Sequence, residues 1–362
     1  MILVLTMYLY IRKWSVISLP DAYPTWSLDS LPTNGRIVLW IIHGYPPGLN
    51  AGSEFMAHAM NRELIKRGFT VVVACQRYPQ IVFEGVYIMD LRRHADISRI
   101  ASMSSVIMTH HGNARLACKI AAEHVLPVIE VVHNTVTPIT YPRFPDSNLY
   151  HVYNSEWLRK FYAQRAQDYE RSIVVRPPVN PADYDTGSDA EAAAKRKYIT
   201  LINVNEEKGG HILVELARAM PKVQFMGIKG AYGKQVVEGS PPPNLHYEEN
   251  TLDIKNVYAR TKILIMPSII ETWGRTAVEA MSSGIPVIAN PTDGLVECTG
   301  HAGIFAKRGR TAEWVSAINQ LLQDDAHYTA ASAAARERAS ELNPEIDLQR
   351  FYEFVDVVSR RN

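Results

Sequence analysis

Short apolar runs alternate with stretches of helical spacing along nearly the whole chain. RIVLWII (36–42) reads as a buried strand, because it lacks the alternation of a strand with one wet face. SEFMAHAMNRELIKRG (53–68) reads as a helix, with Ser53 placed to cap it and Gly68 to stop it. TVVVAC (70–75), SSVIMTHHG (104–112), LPVIEVVHN (126–134) and NLYHVYNS (148–155) read as further strands. The helix-like NARLACKIAAEH (113–124) separates two of them, and Ser155 can cap the helix EWLRKFYAQRA (156–166). This βαβ alternation predicts a parallel sheet with helices on both faces.

The pattern breaks at IVVRPPVNPADYDTGSDAEAAAKRK (173–197), where Pro177, Pro178 and Pro181 predict a stiff, extended connector. It then restarts with YITLINVN, GGHILVELARAMP, KVQFMGI, LDIKNVYARTK and ILIMPS. Two doubly wound, Rossmann-like α/β domains facing across a cleft are therefore expected, over residues 1–178 and 179–342. The amphipathic stretch at 343–362 forms a terminal helix, and residues 1–35 form an extension. Ligands of doubly wound sheets bind outside the carboxyl ends of the strands, so the loops after strands should carry the chemistry.

Length agrees with two domains: 362 residues are too many for one ordinary core. Charge adds little for the whole molecule, at +1, but the halves differ. Residues 1–180 carry 18 Lys+Arg against 13 Asp+Glu, and the remainder 20 against 24. A mild preference of the first half for an anionic partner follows, as does ordinary scatter of surface charge. Cys75, Cys118 and Cys298 are far apart and odd in number, which fits a reducing compartment and neither a disulfide framework nor a metal site. The opening MILVLTMYLYIRKW is shorter than the roughly 20 residues of a membrane span. It lacks the leading positive charge of a secretory signal. It reads as an extra strand, with a membrane-surface anchor as the alternative.

Four loops hold the candidate chemistry. The first, HGYPPGLNAGSE, follows the first strand and ends with Gly52 and Ser53 at a helix N-terminus, where free backbone N–H groups suit an anion. A tight turn explains the same glycines. His43, His110, His111 and His133 follow strands of one sheet and should line one edge, with His133 facing the cleft. In NVNEEKGG, Lys208 stands just before the glycines that open a helix, a point charge suited to a phosphate. A solvated loop lysine is the bland reading.

The fourth is PSIIETWGRTAVEAMSSGIPVIAN (267–290), with Glu271 and Glu279 around a glycine at the strand-to-helix turn. Gly274 permits close backbone approach. The N–H groups of Gly274, Arg275 and Thr276 start a helix and suit a diphosphate. Carboxylates beside a diphosphate repel it, so Glu271 and Glu279 make sense as acceptors of hydroxyl hydrogen bonds. A sugar joined through a diphosphate to a ribose offers all three groups. Complementing the helix dipole is the competing reading, which accounts for Glu271 better than for Glu279.

Together with NVNEEKGG and GYPPGLNAGSE, this stretch resembles the retaining nucleotide-sugar glycosyltransferases of the GT-B fold, family four, over most of residues 36–325. The resemblance implies that Glu271 binds donor-sugar hydroxyls, that Gly274, Arg275 and Thr276 hold the distal phosphate, and that Glu279 holds the ribose. It implies that Lys208 neutralises the diphosphate, Gly52 lets the first-domain loop close over the phosphates, and His133 touches the donor sugar. It further implies no cofactor, no metal, and a terminal helix that crosses back to the first domain. One position departs: the family commonly has an arginine where this chain has Asn203, with Arg275 as a substitute cation.

The expected activity is hexosyl transfer with retention from a UDP- or GDP-linked sugar to a lipid-linked saccharide, polysaccharide or other glycan precursor. Alternatives are a small metabolite or a modified nucleic-acid base as acceptor, another GT-B activity such as epimerisation or phosphorolysis, and a non-catalytic sugar-nucleotide-binding module. Aromatic residues of the first domain (Tyr45, Tyr78, Tyr87, Tyr141, Tyr153) suit several acceptors, and residues 245–254 should lie near the donor base. No nucleic-acid-binding motif is visible, so a nucleic-acid partner rests on charge alone. The expected location is cytoplasmic, with peripheral contact at the inner membrane face as a variant.

Overall fold

The computed structural model describes residues 23–49, 51–135, 148–163, 166–187 and 190–360. The opening apolar segment and Tyr141 lie outside them. The first sheet has eight strands: β1 (Ile37–Ile41), β2 (Thr70–Cys75), β3 (Ile81–Phe83), β4 (Val86–Asp90), β5 (Ser104–His110), β6 (Val128–Val132), β7 (Leu149–Tyr153) and β8 (Ser172–Val174). Their order is β3-β4-β2-β1-β5-β6-β7-β8, and every pairing is parallel except that of β3 with β4. Helices α1 (Gly52–Lys66), α2 (His94–Ala101), α3 (Ala114–His124) and α4 (Glu156–Tyr162) belong to this half.

The second sheet has six strands: β9 (Tyr198–Ile202), β10 (Gln224–Ile228), β11 (Leu245–Glu248), β12 (Thr261–Met266), β13 (Val287–Ala289) and β14 (Gly303–Phe305). Their order is β11-β10-β9-β12-β13-β14, all parallel. Its helices are α5 (Gly210–Ala219), α6 (Ile254–Arg260), α7 (Arg275–Ser282), α8 (Asp293–Thr299), α9 (Thr311–Gln323) and α10 (Asp325–Glu341). The last helix, α11 (Pro344–Ser359), buries Phe351, Val355 and Val358 in the same cluster as Val38, Trp40 and Val73 of the first sheet. Arg176, in the connector, is held 2.7 Å from Asp347 of α11.

Both sheets reverse direction at one place. In the first, the chain leaves β1 for β2 on one side and returns to β5 on the other. In the second, it leaves β9 for β10 and returns to β12. Adjacent loops diverge at such switch points and leave a crevice. The crevice lies between the loops after β1 and β5 in one domain and between those after β9 and β12 in the other.

Two local expectations are corrected, and one element was not foreseen. The connector is not extended throughout, for it holds short helices at Pro181–Tyr184 and Ala190–Lys195. Ser53 does not cap α1: the helix begins at Gly52, Ala51 holds the extended N-cap position, and the Ser53 hydroxyl donates to Glu54 at 2.7 Å. The β3–β4 hairpin, turned at Glu84 (φ 47°) and Gly85 (φ 84°), has no counterpart in the sequence reading. Ser155 does cap α4, accepting from the Leu158 N–H. No helix of the described residues is long and apolar enough to cross a membrane.

Candidate active site

Lys208 and Glu271 come from the two loops that flank the second switch point, and they meet. The Lys208 ammonium is ion-paired with Glu271 Oε1, which also accepts from the Ser268 hydroxyl at 3.1 Å. Burial disfavours the ammonium, but the Glu271 carboxylate, with Tyr232 and Glu207, outweighs it and lifts the lysine above its ordinary pKa. Its backbone N–H donates to Asn205 Oδ1, and the Asn205 carbonyl accepts from Gly209 and Gly210. Gly209 has φ 95°, and a Cβ there would lie 2.6 Å from Pro267 of the neighbouring loop. Glycine therefore allows the two loops to touch.

Gly274 is the N-cap of α7, with φ 120°, and a Cβ on it would lie 2.6 Å from Leu295. The first N–H groups of α7 have no partner within their own helix, an arrangement suited to an anion. Glu279 is buried one turn in, but it is engaged: Oε2 accepts from the Tyr258 hydroxyl at 2.8 Å and Oε1 from Arg275 Nε at 2.7 Å. A ribose must share this carboxylate with them.

Arg275, the substitute cation of the sequence reading, is turned toward the connector. Besides Glu279, its guanidinium donates to the Pro178 carbonyl at 2.9 Å and the Tyr184 hydroxyl at 2.8 Å. Three of its five N–H donors are thus engaged, which ties the side chain to Glu279 and the connector. Asn203 takes the left-handed conformation (φ 64°), is 8% exposed, and is packed against Gly230, where a Cβ would lie 2.1 Å from its amide oxygen. An arginine at 203 has no room along that path. A cation the sequence reading passed over, Arg308 after β14, donates to the carbonyls of Pro267 and Glu206 and so ties together the two loops that carry Lys208 and Glu271.

The first domain meets this site directly. Thr272, next to Glu271, donates to the His133 carbonyl at 2.6 Å and accepts from the Asn154 amide at 2.8 Å. The end of β6 is thereby fixed beside the glutamate loop. Burial, with the charge of His43 adding to it, pushes the His133 ring down to about 3, so it is neutral at ordinary pH. Gly52 faces the start of α7: a Cβ on it would lie 3.9 Å from Arg275 Cδ, and the Arg275 guanidinium sits 5.4 Å from the Phe55 ring. The N-termini of α1 and α7 thus approach each other across the crevice. Glu297 of α8 adds a second bridge, accepting from the backbone N–H groups of Glu156 and Trp157 at 2.8 Å each.

Three of the four histidines come together in a row. His43, His110 and His133 follow one another, with ring centroids 5.2 and 5.4 Å apart. His110 is fully buried, so it underlies the row rather than facing the crevice. His111 lies in a short 3-10 turn (His111–Asn113).

Thr272, Asn154, Glu297 and Arg308 were missed because each acts through a partner over 40 residues away. The pairing of Arg275 with Glu279 did have a local signal, opposite charges four residues apart on a helix.

Residues 244–338 match the family described as "Glycosyl transferases group 1". A D-inositol 3-phosphate glycosyltransferase from Corynebacterium aurimucosum is 25% identical over 264 residues, which cover 61% of this chain and 61% of that relative. The fold superimposes on Anabaena Alr3699/HepE in complex with UDP-glucose with a TM-score of 0.71 at 17% identity, covering 89% of this chain and 99% of that one. A sucrose-phosphate synthase from Thermosynechococcus elongatus gives 0.69 at 14% identity, covering 90% and 100%. The architecture is the GT-B fold, two Rossmann-like domains.

Proposed function

We propose that this chain, whose residues 244–338 belong to the group 1 glycosyl transferases, moves a sugar from a nucleoside diphosphate to an acceptor hydroxyl. The observation that carries the reading is the meeting of Lys208 and Glu271 opposite the open N-terminus of α7. A sugar diphosphate needs a cation, backbone donors for its charge, and an acceptor for the sugar's hydroxyls. These residues supply all three within one crevice, with Glu279 one helical turn away for the ribose.

In this reading the donor sugar sits between Glu271 and the His133 end of β6. The bond from the sugar to its phosphate breaks as the acceptor oxygen attacks from the same face, and the acceptor proton leaves on the diphosphate. Lys208 and the α7 N–H groups stabilise the charge that develops there, and such preorganised donors are worth most in a site closed to water. They stand where a divalent metal would otherwise serve the diphosphate, so donor binding is taken to be metal-independent. Retention, a hexosyl group and a UDP- or GDP-linked donor belong to the same proposal.

A lipid-linked saccharide or polysaccharide is the proposed acceptor, met at the cytoplasmic face of a membrane or in the cytoplasm. The name of the D-inositol 3-phosphate glycosyltransferase speaks for the small-metabolite alternative. Thermal shift against UDP, GDP, ADP, TDP and their sugar conjugates, with and without chelator, tests the donor. A ligand at 100 times its dissociation constant raises stability by about 2.7 kcal/mol. A shift with one nucleotide that survives chelation supports the reading. No shift with any, in a folded chain, sinks it.

A further inference from the structure

The first-domain side of the crevice holds a constellation that donor binding does not use. His43 follows β1, His110 ends β5 and Glu54 stands in the first turn of α1, so all three meet at the first switch point. One ligating atom from each lies within 4.8 Å of the others. Glu54 is fully buried, and its Oε2 takes the Ser53 hydroxyl. Its Oε1 accepts no hydrogen bond, although His43 Nε2 stands 3.2 Å away.

A buried carboxylate oxygen is normally hydrogen-bonded, ion-paired or bound to a metal. Here the oxygen makes an ion-pair contact with the imidazole nitrogen at 3.2 Å without a hydrogen bond, an arrangement that a shared metal ion would also produce. Two ligands about 2.1 Å from one tetrahedral ion are themselves about 3.4 Å apart, close to the spacing of Oε1 and Nε2.

We propose that His43, Glu54 and His110 form a divalent cation site. Two imidazoles and one carboxylate are the donor set of open zinc sites, which keep a fourth position for water or another oxygen. His110 and Glu54 form the closed side, and the partly exposed His43 side chain provides the path from the crevice. The site shares no residue with the donor site built on Lys208 and α7, although the His110 ring lies 5.4 Å from that of His133.

The test uses the full chain, stripped with chelator and titrated with zinc alone by calorimetry, and with cobalt alone by visible absorption. One equivalent of zinc is expected, with the absorption of four-coordinate cobalt. Glu54→Gln and His43→Ala are each expected to weaken zinc at least 100-fold, ligands mattering no less than the outer groups whose loss costs 10–100-fold. His301→Ala, in the exposed trio of His301, Glu337 and Glu341, controls for surface binding and is expected to change nothing. Failure of the wild-type chain to bind zinc at micromolar concentration overturns the proposal. So does binding that His43→Ala leaves intact but His301→Ala abolishes. Should Glu54→Gln not fold, the cobalt spectrum of the wild type and the partly exposed His43 still decide the matter.

Discussion

Lys208 and Glu279 test the donor site one side chain at a time. Lys208 is held charged by Glu271, so its truncation removes the cation and leaves a carboxylate facing the incoming diphosphate. Lys208→Ala is expected to lower turnover of the donor identified by thermal shift by about 100-fold or more, in line with losses at groups that stabilise developing charge. Near-normal turnover would mean that another group carries the phosphate. Glu279→Ala has two consequences that the Tyr258 and Arg275 contacts separate. The ribose loses an acceptor worth about 1–3 kcal/mol, which weakens nucleotide binding by about 5-fold to 150-fold. The buried Arg275 guanidinium also loses its carboxylate, so the melting temperature falls. Tyr258→Phe is expected to lower the melting temperature less and to leave nucleotide affinity nearly unchanged. Equal loss of affinity in both variants would assign Glu279 to scaffolding alone.

At the level of the element, the strand-to-helix turn at Gly274 is the part least tolerant of change. With φ 120° and Leu295 2.6 Å from any Cβ, Gly274→Ala incurs both backbone strain and a clash. Strain of this kind costs about 1–3 kcal/mol, and the turn must shift away from the buried Leu295, which displaces the first N–H groups of α7. Lower stability with nucleotide affinity at least 10-fold weaker is the expected pair of results, read by thermal unfolding and calorimetry. A stable variant that binds nucleotide normally would mean that the guest does not meet this turn. Such turns were legible because a glycine, a strand and a helix period coincide in one stretch. The alternation of apolar runs likewise gave the parallel sheets. The β3–β4 hairpin was not legible, because β3 has only three residues and its turn, Glu84-Gly85, lacks the Asn or Asp that usually precedes the glycine. Helix α10 escaped notice too: its buried positions are Ala335 and Ala339, which give almost no apolar period.

Across the whole molecule, the crevice is closed by contacts that no local pattern could announce. Thr272 joins the glutamate loop to the ends of β6 and β7, and Glu297 supplies the N-terminal acceptor for α4. Both pairings span more than 100 residues, so their sequence signal is only a threonine and a glutamate of ordinary kind. Helix α11 also runs back to the first core, so the chain following the second domain is anchored on the first. Each hydrogen bond contributes about 1 kcal/mol net, and four of them hold the crevice shut. The double variant Thr272→Val, Glu297→Gln removes both Thr272 bonds and weakens the Glu297 cap. If the closed arrangement is the one that binds donor, its reduced population should appear as a weaker apparent affinity. A larger radius of gyration without nucleotide is expected by small-angle scattering, together with about a 10-fold rise in donor KM and near-parental dimensions once nucleotide is added. Unchanged scattering with unchanged KM would show that α11 and the sheet cores hold the domains without these bridges. Unchanged scattering with a higher KM would confine their role to aligning the glutamate loop. Only the first outcome makes closure itself part of how the chain binds its donor.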